Sequence, residues 1–382
     1  MQVRADSAVA AIYMRATWLA RLLRALLIYT LAVGTRGKRH KKRRVQPPRR
    51  QDEPEEAREV EMPPMHLTRA EMVALHEQDM EHEGEGSRMR LAWLGNSLSY
   101  FNDLPDLLKE FATSDMGGPS ELAIATCVRS GGGLPSLAAD GCGPMLSKGV
   151  VGAPAKNIET LLKPVHFAGW EGLGWDAVVL QDHSLHAVRP AQRATTQLVL
   201  RQKYAPLLLQ TGRGGVPVRT LIFQTWGYLR AVRGSHELGQ FGKKHFENMN
   251  QLAVDGTDAY RETLEQAGVP VEVVPIAEAW QIVASERRHL FSSLFSFDGH
   301  NPGVAGTYLV AAILYASISG RDPRPVRVKT CGRKDPCHNA LTDADLSYLR
   351  DVAARAVTQG LGRPLTFTLE APKQLRDLHP DL

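Results

Sequence analysis

The chain has 382 residues, enough for one large α/β domain with extensions or for two small domains. With 43% hydrophobic and 23% charged residues it can bury a sizeable core, which excludes a chain disordered throughout. Of the formal net charge of +5, residues 1–50 carry +12 (10 Arg and 3 Lys against the single acid Asp6), leaving −7 for the remainder. Basicity is confined to that tail, so no nucleic-acid partner is expected for the folded part.

In chain order, residues 1–35 come first. Trp18 to Gly34 is the most hydrophobic stretch, but its uncharged run from Ala25 to Thr35 is too short to span a bilayer unaided. Basic residues before it, with Ala32 and Gly34 suitably placed for cleavage, suit a secretory signal peptide or a signal anchor. Membrane attachment through this segment and a place in the secretory pathway or on a membrane are the expectations. An organellar transit peptide is the alternative. Residues 36–66 set a basic block against an acidic run with prolines between, the composition of a disordered linker. Residues 67–87 read as a short helical lead-in, on which His76 and His82 lie among acids as solvated surface.

Four cysteines occur. Cys127 with Cys142 would close the loop around Gly131-Gly132-Gly133, and Cys331 with Cys337 would make a second local bridge; four free thiols are the alternative reading. The run Cys331 to His338 holds three zinc-ligand types at a spacing of no common finger, and no metal is expected.

From residue 88 to 325 short apolar runs alternate with helices. Arg90–Leu94, Glu121–Thr126, Trp175–Leu180, Val218–Phe223 and Val271–Pro275 read as strands. Leu104–Phe111, Pro190–Gln210, Lys244–Ala267, Ala277–Ser285 and Val304–Ser319 read as helices. Such a rhythm is that of parallel βαβ units, which predicts a three-layer α/β/α sandwich around a five-stranded parallel sheet. Residues 326–382 read as a C-terminal helix and tail.

In open parallel sheets the ligand crevice lies beyond the carboxyl ends of the strands. The residues found there are Gly95-Asn96-Ser97, Gly131-Gly132-Gly133, Gln181 to Ser184, Gln224-Thr225-Trp226 and Asp298-Gly299-His300. A serine hydroxyl needs a base to take its proton, and the base needs an acid to orient it. Ser97 is the candidate nucleophile, His300 the base and Asp298 the orienting acid. The backbone N–H of Ser97, an N–H of Gly132 and the amide of Gln181 are candidate oxyanion donors, each contributing on the order of 3 kcal/mol.

The same residues carry a resemblance. Leu94-Gly-Asn-Ser97 with Asn102-Asp-Leu-Pro105 resembles the first block of the SGNH-type (GDSL-like) hydrolases, in the branch that reads Gly-Asn-Ser. Trp175-Asp-Ala-Val-Val-Leu-Gln181 through Ser184 resembles that branch's third block. Gln224-Thr-Trp-Gly227, Pro275 to Trp280, and Asp298-Gly-His-Asn-Pro302 with Ala305 to Leu309 are similar to its later strand ends. The resemblance implies a flavodoxin-like sandwich, no cofactor, and hydrolysis of a small acyl ester (an acetyl ester, or an acylated glycan) through a Ser-His-Asp triad.

The final block departs from the pattern. An ungapped match places Asn301, not His300, at the histidine position, and His300 stands one residue early. The alternative is therefore a catalytically silent relative that binds a glycan or a protein partner. A nucleotide-binding domain is disfavoured, because the turn after the first strand lacks Gly-x-Gly-x-x-Gly.

Overall fold

The computed structural model describes residues 88–143, 157–163, 174–229, 243–328 and 341–361, all within the unit His66–Leu382. The expectations for residues 1–87, for Cys331 to His338 and for the tail after residue 361 fall outside the described residues.

Five strands form one parallel sheet: β1 (Arg88–Gly95), β2 (Glu121–Val128), β3 (Ala177–Leu180), β4 (Arg219–Phe223) and β5 (Val271–Val274). Their spatial order is β2-β1-β3-β4-β5. Leu91 pairs with Ile124 on one side and Ala177 on the other, and Phe223 pairs with Val274. The strands carry almost no alternation in sequence because both faces are covered. Leu91, Trp93, Ala177, Val179, Leu221 and Phe223 face one core, while Ala92, Leu94, Val178, Leu180 and Ile222 face the other.

The first face packs against α2 (Leu104–Ser114), α9 (Ile276–Glu286), α11 (Val304–Ser319) and α12 (Asp343–Leu361). α11 is apolar all round and buried from Ala305 to Ile318, as a helix enclosed by a sheet and two other helices must be. The second face packs against α3 (Leu134–Asp140), α4 (Ile158–Leu162), α6 (Pro190–Val199), α7 (Ala205–Leu208) and part of α8 (Lys243–Gln266). Short helices α1 (Ser97–Tyr100), α5 (Ser184–Val188) and α10 (Arg288–Phe291) sit in loops after strands or helices.

One expected helix contains a wider turn. The run from Pro190 to Gln210 passes through a π turn at Leu200–Tyr204 between α6 and α7. Pro206 has no N–H to continue the ladder, and the wider turn ends with Leu200 and Tyr204 both buried. Tyr204 Oη then donates to Leu134 O at 2.9 Å.

The strand order has a physical consequence. From β1 the chain moves outward to β2, then returns past β1 to β3, so the connections diverge between the carboxyl ends of β1 and β3. That divergence opens a crevice, and Ser97 and Gln181 to Ser184 follow the two strands that flank it. Among the described residues no helix is long and apolar enough to cross a membrane.

Candidate active site

Ser97 is the first residue of α1, immediately after β1. Asn96 caps that helix: its Oδ1 accepts Leu98 N–H at 3.1 Å, while its Nδ2 donates to Gly132 O at 2.7 Å. The backbone N–H of Asn96 donates to Gln181 Oε1 at 2.7 Å, and Ser99 Oγ donates to the same oxygen at 2.7 Å. Trp93 Nε1 completes the set by donating to Ser99 Oγ at 2.9 Å. Gly95 must be glycine, because a Cβ there would lie 2.6 Å from Gln181 Oε1. Each polar group under the turn is thus spent on holding it. Ser97 Oγ, half-buried, has no hydrogen-bond partner among the described residues.

The final loop is fastened to this turn by Asn102. Its Nδ2 donates to Pro302 O and to Thr307 Oγ1, both at 2.9 Å. Reaching them puts Asn102 and Asp103 in the left-handed region, at φ 51° and 57°, which Asn and Asp tolerate better than other side chains. From the other side, Trp226 Nε1 donates to His300 O at 3.0 Å and Leu229 N–H to Gly299 O at 2.9 Å. Gly299 has a φ of 74°, so a side chain there would be strained.

Within the loop, Asp298 Oδ1 accepts the backbone N–H groups of His300 and Asn301, each at 2.9 Å. Its Oδ2 accepts Asn301 Nδ2 at 2.7 Å. Burial works against the charged carboxyl, but the hydrogen bonds from Asn301 and the backbone outweigh it and hold the pKa below the usual range. His300 Nδ1 lies 3.3 Å from Asp298 Oδ1, outside hydrogen-bond geometry. Its Nε2 is 3.1 Å from Asn301 Nδ2, which has no lone pair to offer and so donates to it. The neutral ring then carries its proton on Nδ1 and a lone pair on Nε2. That is the tautomer a general base requires, with the lone pair occupied by Asn301. The His300 ring is 5.5 Å from that of Tyr228, whose hydroxyl shares a hydrogen bond with Ser184 and whose pKa is raised by burial to about 12.

Of the three expected oxyanion donors, two are engaged elsewhere. Gly132 N–H donates to Arg129 O at 3.0 Å, closing a turn. Gln181 is fully buried, and its Nε2 donates to Asp182 O. Only Ser97 N–H, at the head of α1, is without a partner among the described residues. The glycine loop itself is tied down by the Cys127–Cys142 disulfide, whose Cα atoms are 5.0 Å apart, and by Arg129, which donates to the carbonyls of Asp140 and Gly141.

The loop after β3 holds a cluster that the motifs alone did not single out. Asp182 Oδ1 lies 3.1 Å from His186 Nδ1 and accepts Leu134 N–H at 2.8 Å; Oδ2 accepts Thr196 Oγ1 and Tyr260 Oη, both at 2.8 Å. Burial opposes its ionisation, yet the His186 hydrogen bond and charge, with Leu134 and Thr196, bring the pKa below the usual range. A side chain at Gly133 would meet His186 Nδ1 at 2.6 Å, so the glycine triplet makes room for this pair. The i, i+4 spacing of Asp182 and His186 was the signal available in the sequence. Among the described residues no group of three or more His, Cys, Asp or Glu is placed to hold a metal ion.

No model of a protein family and no curated protein matches the chain. Among solved structures it is similar to a DUF4886 family protein from Bacteroides uniformis, at 14% identity and a TM-score of 0.52, over 71% of this chain and 95% of that one. It is also similar to a candidate SGNH hydrolase from Slackia heliotrinireducens (21% identity, 60% and 98% covered, TM-score 0.37). Phospholipase A1 from Streptomyces albidoflavus is a third (13% identity, 60% and 99% covered, TM-score 0.32). At 14% identity the likeness to the first of these is one of fold. With its five parallel strands in the order β2-β1-β3-β4-β5 and helices on both faces, the chain has the expected flavodoxin-like three-layer α/β/α fold.

Proposed function

We propose that the chain hydrolyses an acyl ester, with Ser97 as nucleophile, His300 as its base and Asp298 as the acid that fixes the loop carrying it. An acetyl group is the acyl unit and a carbohydrate the alcohol that the motif resemblance implies. The observation that carries the reading is the unspent hydroxyl of Ser97 on a turn whose other polar groups all have internal partners. Its position over the β1/β3 divergence, with Asn102 fastening the Asp298–Pro302 loop to the same turn, supports it further. For His300 to take the Ser97 proton, Asn301 Nδ2 has to release Nε2, a local side-chain rotation.

The test is turnover of an aryl acetate by the full chain. Ser97→Ala is expected to lower kcat by on the order of 1,000-fold or more. Unchanged turnover in that variant would reject the mechanism.

A second reading has its own observation. Asn301, which cannot act as a base, makes the contact with Asp298 expected of a triad histidine. On that reading the crevice binds an acylated glycan or a protein partner without turning it over.

A further inference from the structure

Attack of Ser97 on an ester drives negative charge onto the carbonyl oxygen, and hydrogen-bond donors aimed at that oxygen are usually the largest single source of rate enhancement. Here the Gly132 N–H is spent on Arg129 O, and the fully buried Gln181 amide has one N–H on Asp182 O. Ser97 N–H alone would be a poor oxyanion site.

His183 lies two residues beyond Gln181, at the end of the strand next to β1, and caps α5. Its Nδ1 accepts the backbone N–H of Leu185 at 3.2 Å. A ring nitrogen that accepts a hydrogen bond carries no proton, so the neutral imidazole has its single proton on Nε2. Nε2 is on the far side of the ring from the amide it caps. The helix cap thereby fixes His183 as a hydrogen-bond donor. Its surroundings keep it neutral. Burial is the largest influence and depresses the pKa, the charge of His186 (ring centroids 5.1 Å apart) adds to this, and Asp182 opposes it. His300 and Arg189 push in the same direction as His186.

We propose that His183 Nε2–H is an oxyanion donor of the crevice, standing in for the inward-turned amide of Gln181. The inference rests on the reading of Ser97 as nucleophile. As the bond from Ser97 Oγ to the acyl carbon forms, the carbonyl π pair moves onto oxygen, where Ser97 N–H and His183 Nε2–H meet it. The hydroxyl proton passes to His300 Nε2. When the bond from carbon to the alcohol oxygen breaks, that proton leaves with the alcohol, and water repeats the two steps to free the acid. His183 keeps its proton throughout, as a neutral imidazole held by a helix cap does when it acts as an electrophile.

Two substitutions separate this role from a structural one. Asn at 183 can still cap α5 through Oδ1 but offers no donor at the Nε2 position, whereas Gln places an N–H group near Nε2 and caps poorly. Aryl-acetate kinetics and melting temperature are measured on the full chain, its H183N and H183Q variants, and S97A. The expected result is that H183N lowers kcat about 100-fold at little change in KM or melting temperature, while H183Q stays within about tenfold of wild type. Wild-type activity in H183N, or a larger loss in H183Q than in H183N, overturns the proposal while leaving Ser97 in place. If S97A matches wild type, the esterase reading fails and this inference falls with it.

Discussion

Asn301 Nδ2 donates to Asp298 Oδ2 at 2.7 Å and, 3.1 Å away, to the lone pair of His300 Nε2, so one amide is shared by the two residues proposed as acid and base. The loop is fixed in a resting arrangement by that amide. Asp298 is stabilised as a carboxylate, His300 is held in the tautomer of a base, and its reactive nitrogen is covered.

Replacing Asn301 with His puts an imidazole where the amide meets Asp298. Turnover of an aryl acetate is expected to rise at least tenfold, toward the contribution that a positioned general base makes. The rate at pH 7 checks this; a fall in N301H with unchanged melting temperature would show that the amide itself serves the reaction.

Asn102 joins the turn of Ser97 to the loop of Asp298 and pays for it with a left-handed backbone. Asn102→Ala removes both hydrogen bonds and puts a less tolerant residue at φ 51°, for a loss of about 2 kcal/mol. Urea unfolding at constant slope should show it. Asn102→Gly should lose less, since glycine accepts the conformation without strain.

The glycine loop depends on Cys127–Cys142, which closes a segment of sequence separation 15. Breaking the bridge by Cys142→Ser is expected to cost on the order of 3 kcal/mol in thermal stability, measured as a lower melting temperature with reductant absent. Activity should fall further than stability accounts for, because Gly132 O anchors Asn96 beside Ser97.

Glu278 gives a pH dependence of determinate sign. It is largely buried at the start of α9, Oε1 accepts Gln224 Nε2 at 3.3 Å, and Oε2 has no hydrogen-bond partner among the described residues. Burial raises its pKa, with the Gln224 hydrogen bond pulling the other way. The folded state therefore holds a proton that the unfolded chain has released, and stability falls as pH rises from about 4.3, the unfolded value, through the raised folded one. The unfolding free energy of wild type minus that of Glu278→Gln, measured from pH 4 to 7, should decline as pH rises.

Much of the fold was legible because a parallel sheet writes itself as short apolar runs between amphipathic segments, and all five strands lie within two residues of the expected bounds. The helix from Pro190 has the expected extent, but the π turn inside it ahead of Pro206 leaves no mark in the apolar period. The site was legible as a set of strand ends, not as directions. Gln181 looked like an oxyanion donor until Asn96 N–H, 85 residues earlier in the chain, captured its oxygen and turned its amide inward. His183 was invisible for the same reason: its tautomer depends on which backbone N–H its ring meets. Side-chain direction is decided by such distant partners, and motif spacing does not encode them.

The most direct measurement is peptide mapping by mass spectrometry after treating the full chain with a fluorophosphonate, which bonds only to a serine hydroxyl activated as a nucleophile. A stoichiometric adduct on Ser97, lost in Ser97→Ala and in His300→Ala, is the predicted result. An unmodified Ser97 in a folded chain would contradict the account and leave the crevice as a binding site.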